Sequence, residues 1–185
     1  MMLTRRDLDI IYFLEDYKVA STQTLKELFF PSLSACRKRL KILYDNKRVQ
    51  RVRPHLNHDY EYFIKKPKRY THCLLATEFY RELLKQSKVD TFLVDKELGN
   101  IRPDAIFGYE LNAKKYVGLL EVEISNNGFN YEKYENFYSS GDYRKFFPVM
   151  PTVYMIYRNG KQPQDTKVKY IRLNINLDNF KLSPS

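Results

Sequence analysis

Residues 31–53 read PSLSACRKRLKILYDNKRVQRVR, and this stretch decides the fold of the first half of the chain. Pro31 ends the preceding segment, and Ser32 or Ser34 can cap a helix that we expect to run to about Asn46. Four residues at helical spacing form the apolar stripe predicted for this helix: Cys36, Leu40, Leu43 and Tyr44. The end of the stretch favours a β-strand, so the helix leads directly into a strand.

The residues on either side extend this pattern to three helices followed by a hairpin. Thr4 is typical of the N-cap of a first helix, and Ser21 or Thr22 of a second. Residues 49–53 have strand character, and residues 60–64 alternate as a second strand. This order is that of a winged helix-turn-helix, in which the third helix enters the major groove and the hairpin reaches the adjacent backbone or minor groove.

Most of the positive charge lies in the same half. The chain of 185 residues has a net charge of +10, and residues 1–89 carry 19 Lys and Arg against 10 Asp and Glu. Such a field attracts polyanions, and the element order favours duplex DNA, although RNA remains a competing ligand. The expected DNA-binding residues lie on the third helix, after it and on the hairpin: Ser34, Arg37, Lys38, Lys41, Lys47, Arg48, Arg51 and Arg53.

The periodicity predicts two domains of an α+β protein. Residues 1–88 are expected to form the winged-helix domain, and residues 89–185 a small α+β domain with a mixed or antiparallel sheet of nuclease-like layout. A fourth helix is predicted over 71–86, and 87–101 is the predicted boundary segment. In the second domain the predicted elements are four strands and one long helix: 103–109, 115–124, 129–147 (the helix), 152–157 and 168–175.

Three carboxylates in the second half form a pattern suited to chemistry. Asp104 opens one predicted strand, and Glu121 and Glu123 lie two residues apart on the next, so both glutamates face the same way. If these strands pair, Asp104 and Glu121 are candidate ligands of Mg²⁺ for phosphodiester hydrolysis, with Glu123 beside them. The order resembles the PD-(D/E)XK nuclease signature. Glu123 stands where that signature has lysine, and Lys133 is the candidate replacement; a solvated polar strand face explains the same residues.

Several short signatures follow one another along the chain: Thr-His-Cys-Leu at 71–74, Arg-Pro-Asp-Ala at 102–105, Leu-Glu-Val-Glu at 120–123 and Glu-Lys-Tyr at 132–134. With the helix and hairpin order, they resemble the replication-relaxation family of plasmids and integrative elements, over about Thr4 to Tyr138. The resemblance implies a winged-helix domain before a restriction-endonuclease-like domain, acting in plasmid replication or DNA relaxation for mobilisation. The residues that fit the family pattern are Asp104, Glu121, Glu123, Lys133 and Tyr138.

Other features exclude further classes of function. No apolar run approaches the roughly 18 residues that span a bilayer, and the charged N-terminus lacks the apolar segment of a signal peptide, which predicts a cytoplasmic protein. Cys36 and Cys73 lack metal-ligand spacing, so we expect reduced thiols and no structural zinc. No His triad with a nucleophilic Tyr is visible, so the chain would assist a relaxase and would not be one.

The sequence thus predicts a double-stranded DNA-binding protein in the replication, mobilisation or transcriptional control of a plasmid or other mobile element, without a cofactor. Two alternatives stay open. One is a metal-dependent endonuclease, the only case that requires Mg²⁺. The other is a protein-interaction module, in which an aromatic helix mediates homodimerisation of the chain or recruits a relaxase or replication protein. The aromatic residues of that helix are Tyr131, Tyr134, Phe137 and Tyr138.

Overall fold

A computed structural model of the chain describes residues 2–55, 58–125, 128–158 and 165–182. Within these residues the chain forms five α-helices, one short 3-10 helix and two β-sheets, so the α+β class is confirmed. The chain divides into two compact units, Met1–Arg81 and Glu82–Ser185. The sequence placed the boundary after residue 88, whereas the division falls within the fourth helix.

The first unit combines helices with three short strands. Its elements are α1 (Arg5–Tyr17), β1 (Ala20–Ser21), α2 (Thr22–Phe29), α3 (Leu33–Asp45), β2 (Gln50–Val52), β3 (Glu61–Phe63) and the greater part of α4 (Tyr70–Leu84). The strands form one antiparallel sheet in the order β1-β3-β2. Strand β1 lies between the first two helices and was not predicted, because two residues are too few to show an alternating pattern.

Side-chain caps decide where the first three helices begin. Thr4 and Asp7 form a capping box, in which the Thr4 amide donates to Oδ2 of Asp7 at 2.7 Å and the Asp7 amide donates to Oγ1 of Thr4 at 3.3 Å. Ser21 caps α2 and Ser32 caps α3, each by accepting a hydrogen bond from the backbone amide three residues on. Of the cap candidates that the sequence left open, the structure therefore selects Ser21 and Ser32.

The apolar stripe of α3 is confirmed in three of its four members. Cys36, Leu40 and Leu43 are fully buried in the core of the first unit. Tyr44 was wrongly assigned to the stripe, since 40% of it is exposed. One residue along a helix is a rotation of about 100°, so Tyr44 turns away from the face that Leu43 occupies.

The second unit contains a five-stranded sheet. Its elements are β4 (Lys88–Val94), β5 (Ala105–Leu111), β6 (Lys114–Glu123), α5 (Glu132–Ser139), the 3-10 helix (Asp142–Lys145), β7 (Thr152–Tyr157) and β8 (Tyr170–Leu173). The strand order is β4-β5-β6-β7-β8. The first three strands are antiparallel, and β6, β7 and β8 run parallel, so the sheet is mixed.

Two predictions for the second unit were wrong. Strand β4 lies in the segment predicted to be the domain boundary. The strand was not predicted because a register shift between Val89 and Thr91 interrupts its alternating pattern. The single helix predicted over 129–147 is two shorter helices. Gly141 separates them with a left-handed φ of 76°, a conformation that commonly ends an α-helix.

The pleat of β6 decides which way its acidic residues point. Leu120 and Val122 alternate with Leu119, Glu121 and Glu123, so the two glutamates share the face of Leu119. Leu119 belongs to the hydrophobic core that also contains residues of β7 and the buried Tyr134 and Phe137 of α5. Glu121 therefore lies on the side of the sheet that α5 covers. No helix among the described residues has the length and apolar character needed to cross a bilayer.

Candidate nucleic-acid interface and carboxylate cluster

The predicted contact residues on α3 share its outer face. The stripe of Cys36, Leu40 and Leu43 anchors one side of the helix in the core. The opposite side carries the exposed residues, and the turn after the helix continues them: Ser34, Arg37, Lys38, Lys41, Lys47 and Arg48. The amphipathic pattern of α3 thus presents a row of cations to solvent, as its spacing predicts.

Cations from α3 meet cations from the hairpin in one cleft. Arg37 and Lys41 of α3 line a cleft of about 410 Å³ together with Arg51 of β2 and Arg53 just after it. Tyr62 of β3 and Tyr60 just before that strand complete this part of the wall; we call this the α3–hairpin cleft. Four predicted contact residues are therefore brought together, whereas the others, Ser34, Lys38, Lys47 and Arg48, do not line the cleft.

Aromatic rings hold the two arginines of the hairpin. The Arg51 guanidinium carbon lies 4.2 Å from the ring centre of Tyr44 and 3.9 Å from that of Tyr60, and Arg53 lies 4.5 Å from the Tyr60 ring. Burial raises the pKa of the Tyr62 hydroxyl, and a hydrogen bond with Arg51 opposes that rise. Because cation–π contacts and this hydrogen bond restrain it, Arg51 presents a positioned charge.

Two exposed acids neutralise part of the cleft. Oδ1 of Asp59 accepts a 2.6 Å hydrogen bond from Nη2 of Arg37. Oδ2 of Asp45 accepts a 2.5 Å hydrogen bond from Nζ of Lys41. Exposed ion pairs contribute little stability, typically about 0–1 kcal/mol, so an incoming phosphate can compete with these carboxylates. Asp59 was not predicted at this site, since it lies 22 positions from Arg37 and no local sequence pattern joins the two residues.

Arg39 belongs to the same basic stretch but has a different role. Its Nε donates to Oδ1 of Asp7 at 2.8 Å, and its Nη2 donates to Oδ2 of the same carboxylate. Asp7 is fully buried, and its hydrogen bonds from Arg39, opposed by burial, lower the pKa of the carboxyl to about 2. Arg39 therefore fastens α3 to the start of α1.

In the second unit, Asp104 lies just before β5 and beside β6. It is buried, and its Oδ2 accepts a 2.7 Å hydrogen bond from the backbone amide of Val122. Pairing of β5 with β6 sets Ala105 opposite Leu120, which brings Asp104 to the level of the acidic end of β6. Its charge adds to burial in raising the pKa of Glu121, which indicates that the two carboxylates interact.

Glu121 is held by two neighbouring residues of α5. Its Oε1 lies 2.9 Å from Nζ of Lys133, and its Oε2 accepts a 2.5 Å hydrogen bond from the Tyr134 hydroxyl. Only 16% of the Glu121 side chain is exposed, and burial raises its pKa while the Lys133 charge opposes that rise. Burial and the carboxylate raise the pKa of Tyr134 well above its ordinary value. The structure thus places the candidate lysine beside the glutamate.

Glu123 does not join this pair through a described contact. Its Oε1 accepts a 2.8 Å hydrogen bond from the backbone amide of Ser125. Among the described residues no group of three or more His, Cys, Asp or Glu is arranged to hold a metal ion. Lys133 and Tyr134 engage both oxygens of Glu121, so a metal ion bound by this carboxylate would have to displace at least one of them.

The last residue of the suggested family pattern, Tyr138, lies on α5 and stacks on Tyr143 with ring centres 5.6 Å apart. No family model, curated protein or solved structure matches this chain. The likeness to the replication-relaxation family therefore rests on the quoted residues alone.

The aromatic residues of α5 are largely core, since Tyr134 and Phe137 are fully buried and Tyr131 and Tyr138 pack against the same cluster.

Proposed function

We propose that the first unit is a winged helix-turn-helix that binds double-stranded DNA. The observation that carries the proposal is the α3–hairpin cleft, where Arg37 and Lys41 face Arg51 and Arg53. Four cations from two elements converge on this surface, and they outnumber the two aspartates that pair with Arg37 and Lys41, so the net positive charge suits a polyanion. The element order, with a third helix followed by a two-stranded hairpin, agrees with this class of domain.

In such a complex α3 would lie in the major groove. The helix has 13 residues, which is a length of about 20 Å, and its exposed side carries Ser34, Arg37 and Lys41. An arginine at this position can donate two hydrogen bonds to guanine, whereas a lysine contacts phosphate or a single acceptor. Arg37 is therefore our candidate for base recognition.

The hairpin and the turn after α3 would contact the backbone. Arg51 and Arg53 are restrained by Tyr44 and Tyr60, so they lose little conformational freedom when they bind. Lys47 and Arg48 are exposed and suited to phosphates on the rim of the groove. Each phosphate that is neutralised releases counterions, so binding should weaken steeply with salt.

The biological role follows from the resemblance. Replication, mobilisation or transcriptional control of a plasmid or other mobile element each begins with a protein bound to a particular duplex. A homodimer would allow paired helices to read two symmetric half-sites, and a relaxase or replication protein would act at the same site.

The test is binding of the purified protein to labelled duplexes from its genetic neighbourhood, followed by fluorescence anisotropy across a salt series. We expect the double variant Arg37→Ala with Lys41→Ala to lose at least tenfold in affinity and to flatten the salt slope by about one unit per lost phosphate contact. The matched control is Lys114→Ala with Lys115→Ala, which removes the same charge from an exposed hairpin of the second unit. Equal affinity in the two double variants would remove the α3–hairpin cleft from the proposal.

The second candidate is the metal-dependent endonuclease. The 2.9 Å contact of Lys133 with Glu121 favours this candidate. Glu123 occupies the lysine position of the PD-(D/E)XK signature, so a lysine from elsewhere in the chain has to lie beside the carboxylates. The lack of a three-ligand group among the described residues weighs against it. The assay is cleavage of supercoiled DNA with Mg²⁺ or Mn²⁺, compared between the unchanged protein and Asp104→Ala. Metal-dependent cleavage that survives in the variant would assign the activity to another site or to a contaminant.

A further inference from the structure

A second cleft of the first unit lies at the other end of β3 from the α3–hairpin cleft. It measures about 530 Å³ and is formed by the end of α1 and the segment that joins β3 to α4. The proposed DNA contacts do not include any of the residues that line it. We call it the lysine cleft.

Four lysines line this cleft: Lys18, Lys65, Lys66 and Lys68. None of the four forms an ion pair with an acidic side chain that the structure describes. Lys18 donates to the backbone carbonyl of Glu15, and Nζ of Lys66 lies 5.3 Å from the ring centre of Tyr70. Glu15 contributes the single acidic side chain of the described lining. The cleft therefore has an excess of positive charge that its own residues leave uncompensated.

The remaining lining residues are apolar. Leu14 is buried at the base, and Ile64 and Pro67 are partly exposed beside it. Pro67 has a fixed φ and no amide hydrogen, so it stiffens the segment that carries three of the lysines. An apolar lining beside exposed cations suits a ligand that has an apolar group next to negative charges. A DNA duplex presents a convex, hydrophilic backbone and has no group to place on this lining.

We propose that the lysine cleft binds an acidic peptide segment of a partner protein that carries an apolar anchor side chain. The anchor lies on Ile64 and Pro67, and glutamates or aspartates beside it pair with Lys65, Lys66 and Lys68. Buried apolar anchors contribute most of the affinity at small interfaces, and the surrounding charges accelerate and orient encounter. The partner class is identified by this chemistry alone, and the proposal does not depend on the α3–hairpin cleft.

The experiment uses the full chain and a short fluorescein-labelled peptide with a leucine–phenylalanine pair between two pairs of glutamates. Affinity is measured by anisotropy at low salt. We expect the triple variant Lys65→Gln, Lys66→Gln and Lys68→Gln to lose about tenfold or more in affinity. The control variant Lys96→Gln, Lys114→Gln and Lys115→Gln has the same net charge, lies outside both clefts and should bind the peptide like the unchanged protein. Circular dichroism verifies that both variants are folded.

Two further peptides separate the contribution of the apolar lining residues from that of the lysines. Replacing the glutamates by glutamine, or the leucine–phenylalanine pair by serine, should each abolish measurable binding. The proposal is wrong if the original peptide does not bind at low salt, or if the two triple variants bind it equally. Unchanged affinity of the serine peptide would mean that the cleft binds polyanions without an anchor. Self-association that is lost in the lysine-cleft variant would identify a second copy of the chain as the occupant and also overturn the proposal.

Discussion

Arg39 and Asp7 form an ion pair between α3 and the first turn of α1, with the carboxylate wholly buried and the arginine side chain 26% exposed. Asp7 also accepts hydrogen bonds from the amide and hydroxyl of Thr4, so one carboxylate serves both as a helix cap and as the partner of a helix elsewhere in the chain. The neighbours of Arg39 along α3, Lys38 and Lys41, face solvent. Within one basic segment, burial therefore separates the residue that maintains the fold from those available to a ligand.

Removing Arg39 should destabilise the protein. Arg39→Ala leaves a buried carboxylate without its cation, and such losses typically cost about 3 kcal/mol. We expect a decrease of this order in the free energy of unfolding, measured by urea denaturation. Lys38→Ala, at the adjacent exposed position, should change it by less than about 0.5 kcal/mol. If both variants are equally stable, the ion pair does not contribute to the stability of the fold.

The same carboxylate predicts a loss of stability in acid. The pKa of Asp7 is about 2 in the folded protein against an ordinary value of 3.8, so its contribution is complete above pH 4 and disappears as the pH falls toward 2. A shift of this size corresponds to about 2 kcal/mol. Asp7→Asn should therefore be less stable at pH 5, and its stability should fall by about 2 kcal/mol less between pH 5 and pH 2. Parallel pH profiles for the two proteins would contradict the assignment.

Neutralising Asp59 should strengthen DNA binding if the proposed function is correct. Asp59→Asn removes a negative charge from the α3–hairpin cleft and releases Arg37 from its 2.6 Å ion pair. Because exposed pairs of this kind are worth up to about 1 kcal/mol, we expect up to a fivefold gain in affinity at low salt. Asp9→Asn is the matched control, since Asp9 pairs with Arg5 outside this cleft. A gain of equal size in both variants would indicate only a change in net charge.

Replacing Lys133 should make the stability of the protein depend more strongly on the ionisation of Glu121. The pKa of Glu121 is already raised by burial, and the Lys133 charge limits that rise. In Lys133→Met the pKa should rise further, so the variant should lose stability as the pH increases from 4 to 8, relative to the unchanged protein. Thermal unfolding across this pH range measures the effect. The double variant Lys133→Met with Glu121→Gln should remove the pH dependence; if it does not, another group is responsible.

Local patterns in the sequence predicted most of the secondary structure. The cap at Thr4, the buried stripe of α3 and the strand at Thr152–Tyr157 each depend on residues within a few positions of one another. The predictions that were wrong involve features with weak local signals. A register shift conceals the alternation of β4, and the glycine after α5 lies in a segment where aromatic residues recur on both sides of it.

The sequence by itself determined the α+β class, the position of the basic helix and the residues that could carry charge or chemistry, because these follow from helical and strand periodicity. Only the tertiary structure decided their partners. Arg39 meets Asp7 across 32 positions, and Lys133 meets Glu121 across 12. The sequence does not show which of its distant residues meet, since such contacts depend on how helices and strands pack. Packing therefore determines which charged residues are buried in the fold and which remain at the surface.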